Sequence, residues 1–181
     1  MKPLKDILVP ENVPQKFYHG GNLESMDDFI PQKNGRYEYG PGLYLIDHLE
    51  TAIKYAKGSR KLYEVEVAPG NDINDSFLDF EAVKKFTEQY VLKDKREEFL
   101  QSMLKRSKDN KIPAFMFQNR ILNDKLIRPK DTINLRKTLV ENGIDYEMVK
   151  SPFGWGENMM VLYNMSKIIS TKILKKSEVY K

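Results

Sequence analysis

Two short apolar runs each place a hydrogen-bonding side chain beside glycine. Phe17-Tyr18-His19-Gly20-Gly21 ends on an imidazole, and Gly40-Pro41-Gly42-Leu43-Tyr44-Leu45 carries a phenol. Glycine lets a ligand come close to the backbone, imidazole offers one donor and one acceptor, and a tyrosine ring offers a flat face. A third run, Ala52-Ile53-Lys54-Tyr55-Ala56, adds a second tyrosine. The set suits a clamp for a flat ring that itself forms hydrogen bonds. Arg36 lies in the glycine- and tyrosine-containing loop before the second run, where it could reach a pyrophosphate, and Glu157 follows Gly154-Trp155-Gly156 near the far end. Taken singly, each residue has a plainer use. His19 would be a turn residue, Tyr44 a core aromatic and Tyr55 a packing residue. Arg36 and Glu157 would be solvated charges, and His48 would sit on the surface at a helix start.

Other chemistries are poorly provided for. With two histidines and no cysteine, disulfides and thiolate zinc sites are excluded, and no His-x-x-x-His pair suggests another metal centre. There is no Gly-x-x-x-x-Gly-Lys-Ser/Thr loop, and Gly40-Pro41-Gly42 does not fit a dinucleotide fingerprint.

The elements that must position these residues follow from patterning. Lys16 to His19 reads as a buried strand stopped by Gly20-Gly21, and Gly42 to Ile46 as a second strand. Leu49 to Lys57 has helical spacing, with Asp47 as N-cap and Glu50 completing a capping box. Leu62 to Val67 alternates as a half-exposed strand and ends at Pro69-Gly70. From Leu78 to about Arg106 the apolar period becomes helical, Ser107 to Pro113 breaks it, and Asp131 to Asn142 reads as a further helix. Strands return at Ile144–Val149, Met159–Tyr163 and Ile168–Leu174. The expected fold is α+β, with a central helical insert from about Leu78 to Asn142 and no internal repeat.

Length and composition fit one domain over residues 1–181, with 40% hydrophobic and 31% charged residues and no apolar run near the ~20 residues that span a bilayer. Met1 to Pro14 lacks the layout of a secretory signal, so a cytoplasmic protein without membrane partners is expected. The net charge of +4 does not force nucleic-acid binding. Met165 to Lys181, with five lysines and one glutamate, reads as a solvated terminus, with contact to an acidic partner or nucleic acid as the alternative.

At these residues the chain resembles the ADP-ribosyltransferase fold, in the class whose triad is His, Tyr and Glu, as in diphtheria toxin and the poly-ADP-ribose polymerases. Tyr18-His19-Gly20 matches the family's first strand, and Gly40-Pro41-Gly42-Leu43-Tyr44 with Ala52–Ala56 matches its Gly-x-Gly-x-Tyr strand and following Ala-x-x-Tyr-Ala helix. Met159 to Ile168, preceded by Gly143-Ile144-Asp145, matches a late strand of the form Glu-Tyr-Val-Val-Tyr-Asn-Pro-x-x-Ile. The matches cover about 50 residues near the N-terminus and 25 near the C-terminus, leaving the helical insert unaccounted for. They also place Met159 where the family has its glutamate. The nearest carboxylate is Glu157, two residues earlier and of the same strand parity.

The resemblance implies a split-sheet domain that uses NAD as substrate and needs no metal. His19 would bond a ribose hydroxyl of the adenosine half, and the Gly20 backbone would pair with the nicotinamide amide. Tyr44 and Tyr55 would wall the nicotinamide, Arg36 would meet the pyrophosphate, and Glu157 would stabilise the oxocarbenium-like centre. The implied activity is mono-ADP-ribosyl transfer with release of nicotinamide, in the compact form found among bacterial toxins and bacteriophage effectors. The acceptor would be macromolecular, a protein side chain ahead of a nucleic-acid base. Two alternatives stay open: a catalytically silent module that binds NAD or a related nucleotide, and an effector that occludes a partner through the helical insert. The residues leave the oligomeric state open.

Overall fold

The computed structural model describes residues 13–21, 39–56, 61–154 and 156–175. Arg36, Trp155 and the last lysines of the C-terminal segment lie outside them.

The chain forms an α+β structure on a six-stranded antiparallel sheet, ordered β6-β7-β2-β1-β3-β8. Its strands are β1 (Gln15–Gly21), β2 (Leu43–Ile46), β3 (Lys61–Val67), β6 (Tyr146–Lys150), β7 (Asn158–Leu162) and β8 (Ile168–Leu174). Two three-residue strands, β4 (Phe77–Asp79) and β5 (Lys111–Pro113), form a separate pair. The helices are α1 (Leu49–Tyr55), α2 (Phe80–Tyr90), α3 (Arg96–Leu104), α4 (Ala114–Asn123) and α5 (Thr132–Glu141).

Strand alternation assigns each side chain to one face of the sheet. The register pairs Tyr18 with Ile46, Ile46 with Met159, Tyr44 with Val161, and Val161 with Glu147, so these six share a face. Met159, Val161 and Tyr163 of that face join a core supplied mainly by the helices, in which Phe117 meets Phe86 edge-on at 5.2 Å between ring centroids. Phe17, Leu43, Leu45, Val65, Met160 and Leu162 form a second apolar cluster on the opposite face.

Helix α1 packs on the first face over β1. Its backbone comes so close that a Cβ on Gly20 would collide with the Ala52 carbonyl oxygen and lie 2.7 Å from the Ala56 nitrogen. Gly20 is therefore required for packing, whatever ligand it meets.

Two sequence expectations need correction. Asp47 does not cap α1. The helix begins after His48 with no side-chain cap bond, and the Asp47 carboxylate instead takes the Asn158 backbone N–H at 2.8 Å and its side-chain amide at 2.7 Å, because the β2–β7 register brings the two together. The helical block from Leu78 is split: Leu78 belongs to β4, and the chain turns after Tyr90, where the Leu92 N–H bonds the Leu126 carbonyl. The break expected at Ser107–Pro113 is present; it contains β5, and a helix not read from the sequence, α4, follows it at once.

Gly20→Ala is expected to destabilise the fold by about 1–3 kcal/mol, the usual cost of forcing atoms into a packed interface. Urea unfolding of the purified variant measures it.

Candidate functional site

β1 and β2 are joined at a single register pair, Tyr18 and Ile46, whereas all seven residues of β1 pair with β3. Continued in register, the ladder would set Gly20 against Tyr44. There the His19 side chain takes over, its Nδ1–H donating to the Tyr44 carbonyl at 2.8 Å. A backbone carbonyl can only accept, so Nδ1 carries the proton and Nε2 is the ring's acceptor when neutral. Burial pushes the His19 pKa below the ordinary 6.5, the carbonyl bond opposing it more weakly. The imidazole also lies 6.2 Å from the Tyr63 ring, between centroids.

A cleft of about 530 Å³ opens at this divergence, within the ordinary range for a small-molecule site. His19, Gly20, Tyr44 and Tyr55 all line it, so four of the six residues singled out in the sequence come together. Met159 lines it too, next to Ile46 in register. A groove of about 660 Å³ around Asn71, Asp72 and Lys167 is larger but has a polar lining with little aromatic wall.

The Tyr44 hydroxyl is tied into the preceding turn, donating to the Gly40 carbonyl at 3.0 Å and accepting from the Tyr39 N–H at 3.2 Å. Gly40 has φ of +105°, which an L side chain tolerates poorly. This closed turn fixes the ring of Tyr44 and brings Tyr39 to the cleft wall.

Tyr55, half exposed on the last turn of α1, faces Phe153 of the β6–β7 connection, with 6.4 Å between centroids and 39° between planes. The two rings bridge the cleft mouth. Glu157 is buried, and its Oε1 accepts the Phe153 N–H at 2.6 Å while its own carbonyl accepts from Ser151. Pro152 and Phe153 line the cleft; Glu157, which holds them in place, is not among its lining residues. Arg36 lies outside the described residues.

Sequence reasoning did not single out Phe153 or a buried polar group made of Tyr39, Gln118, Glu147 and Tyr163. The only available signal for Phe153 was its place between Pro152 and Gly154 in a connection that also held a candidate acid. Among the described residues no group of three or more His, Asp or Glu side chains is arranged to hold a metal ion.

No family model matches the chain, and no curated protein matches it. A solved structure described as the crystal structure of an anti-CRISPR protein is similar over 90% of this chain and 96% of its own, with a TM-score of 0.41 and 12% identity. At that score the likeness carries no argument about fold or function.

The depressed His19 pKa has a signed consequence. Its contribution to stability is present above pH 6.5 and is lost as the pH falls from there through the folded-state value, because the buried ring resists taking a second proton. In His19→Gln the acid-side loss of stability over that window is expected to shrink, as read from thermal unfolding at a series of pH values.

Proposed function

We propose that this cleft binds NAD and that the protein is a mono-ADP-ribosyltransferase, with the split-sheet architecture of the His-Tyr-Glu class. It would act on a macromolecular acceptor, a protein side chain first, and release nicotinamide. The observation that carries the reading is the convergence of His19, Gly20, Tyr44 and Tyr55 on one cleft where β1 and β2 separate. In this reading nicotinamide enters between Tyr44 and the Tyr55–Phe153 pair, each good ring contact adding about 0.5–1.5 kcal/mol. The Gly20 backbone meets its amide and His19 Nε2 meets a ribose hydroxyl; the resemblance assigns the pyrophosphate to Arg36, which lies outside the described residues.

Bond cleavage at the ribose C1 builds positive charge, which a nearby carboxylate stabilises in the transition state. Glu157 fills that role in the proposal, from the end of the connection that leads into β7, two residues before Met159. The test uses Glu157→Gln, since glutamine keeps an oxygen for the Phe153 N–H while removing the charge. Release of nicotinamide from NAD by the wild type is expected to fall by about 100-fold or more in this variant, in the range of losing one transition-state electrostatic partner. Tyr44→Ala is expected to abolish it. Phe153→Ala should weaken NAD binding by about 1 kcal/mol, measured by calorimetry.

A second reading has an observation of its own. Met159 lines the cleft where the resemblance asks for glutamate, and the Glu157 carboxylate is bonded to the loop backbone. These favour a silent module that binds NAD or a related nucleotide without cleaving it. In that case NAD raises the melting temperature, as a ligand selective for the folded state must, while no nicotinamide appears.

A further inference from the structure

Behind the cleft lies a carboxyl group that the proposed reaction does not use. Glu147 on β6 pairs in register with Val161, sharing the sheet face of Tyr44 and Met159, and is 3% exposed. Its Oε2 accepts from Gln118 Nε2 of α4 at 2.9 Å and lies 3.1 Å from the Tyr163 hydroxyl just beyond β7. That hydroxyl is also 3.2 Å from the Tyr39 carbonyl, which Gln118 Nε2 reaches only at 3.4 Å. Tyr39 in turn gives its N–H to the Tyr44 hydroxyl. A continuous chain of polar contacts thus runs from a buried carboxyl to the turn that fixes the cleft's tyrosine.

Counting protons shows what the chain can do. The Tyr163 hydroxyl has one proton and two acceptors within reach. When Glu147 is ionised it draws that proton, and Tyr39 is left with the long amide contact alone. When Glu147 is protonated, it donates to the Tyr163 oxygen, the tyrosine proton turns to the Tyr39 carbonyl, and all bonds run one way from β6 to the turn. The Gln118 amide must present nitrogen to both Glu147 and Tyr39, since each offers an acceptor, and its Oε1 is left buried without a donor beside Gly40. The site is therefore short of donors, which the ionised carboxylate makes worse and a proton relieves.

Among the described residues, the groups facing Glu147 supply no positive charge against it. They are Tyr163 from just beyond β7, Gln118 from α4 and Asp72 from the segment before β4, with Tyr44 reached through the turn. Lys150, farther along β6, lines an adjoining groove with Glu147 and makes no ion pair with it. Burial pushes Glu147 from 4.5 up to about 7, the bonds from Tyr163 and Gln118 opposing and Asp72 adding to the rise.

We propose that Glu147 is a positioning residue for the NAD cleft: protonated, it turns the Tyr163 hydroxyl onto the Tyr39 carbonyl and seats the Tyr39–Gly40 turn that clamps Tyr44, so that NAD binds more tightly below neutrality than above it. The proposal rests on the reading of the cleft as an NAD site. It also fixes a sign for the ligand-free protein. Stability from the raised Glu147 value is fully present below pH 4.5 and is lost as the pH rises through about 7, opposite in direction to the effect of His19.

The experiment follows the backbone amides of Tyr39 and Gly40 by NMR through a pH titration of the full chain, beside calorimetry with NAD. In the wild type both amides are expected to titrate with a midpoint near 7, and NAD affinity to drop about fivefold across the transition, a modest coupling between two sites. In Glu147→Gln, whose amide supplies the donor of the protonated acid, the amides stay fixed and the affinity is flat with pH. Tyr163→Phe keeps the aromatic core but cuts the relay, and should disconnect the Tyr39 and Gly40 amides from the titration even if the glutamine variant folds poorly. Amides that are silent in the wild type, or that still titrate in Glu147→Gln, overturn the proposal, as does an NAD affinity that ignores the transition. Titrating amides with no NAD binding at any pH would instead count against the NAD reading and leave the relay standing.

Discussion

The structure turns on a substitution of partners at the Tyr44 carbonyl. A backbone acceptor in a sheet needs a donor, and where the β1–β2 ladder stops the donor is an imidazole instead of a peptide. The two strands can then diverge with the Tyr44 carbonyl still satisfied, and the gap becomes a cleft floor. The bond also fixes the histidine tautomer, leaving Nε2 as the ring's other polar atom. Gly20 completes the arrangement, since only a residue without Cβ lets α1 settle against β1 and form one wall.

The opposite wall is built from farther away. The helical segment packs its apolar side chains on Met159, Val161 and Tyr163, while the β6–β7 connection, braced by Glu157, brings Phe153 to the mouth. Buried polar bonds join these parts. Glu147, Tyr163 and Gln118 come from β6, from just beyond β7 and from α4, and they meet at the turn that holds the Tyr44 hydroxyl. Such a network favours one arrangement because every polar atom left unpaired costs a desolvation penalty, as Gln118 Oε1 does here.

Much of this was legible in the sequence where the signal was local. Alternation and terminating glycines located β1, β2 and β3, and β8 spans the run Ile168–Leu174 read from its residues. The structure brings His19 and Tyr44, each read from its glycine neighbours, to one cleft together with Tyr55. What escaped depends on partners distant along the chain. Asp47 has the composition of a cap, but Asn158 claims it across the β2–β7 pairing. Leu78 fits a helical period, yet Ile112 pairs with it in a two-strand ladder. Helix α4 follows Pro113 directly, where a turn signal masked the start of the periodic run Phe117-Gln118-Ile121. Glu147 looked like an ordinary strand residue, because Gln118 and Tyr163, which give it meaning, are 29 and 16 positions away.

The most direct measurement is a crystal structure determined with NAD bound. The account predicts the nicotinamide ring between Tyr44 and the Tyr55–Phe153 pair, its amide on the Gly20 backbone and His19 Nε2 on a ribose hydroxyl, with the Nδ1 bond to the Tyr44 carbonyl intact. NAD seated in another groove, or a His19 ring turned away from that carbonyl with β1 and β2 closed into a continuous ladder, would contradict it.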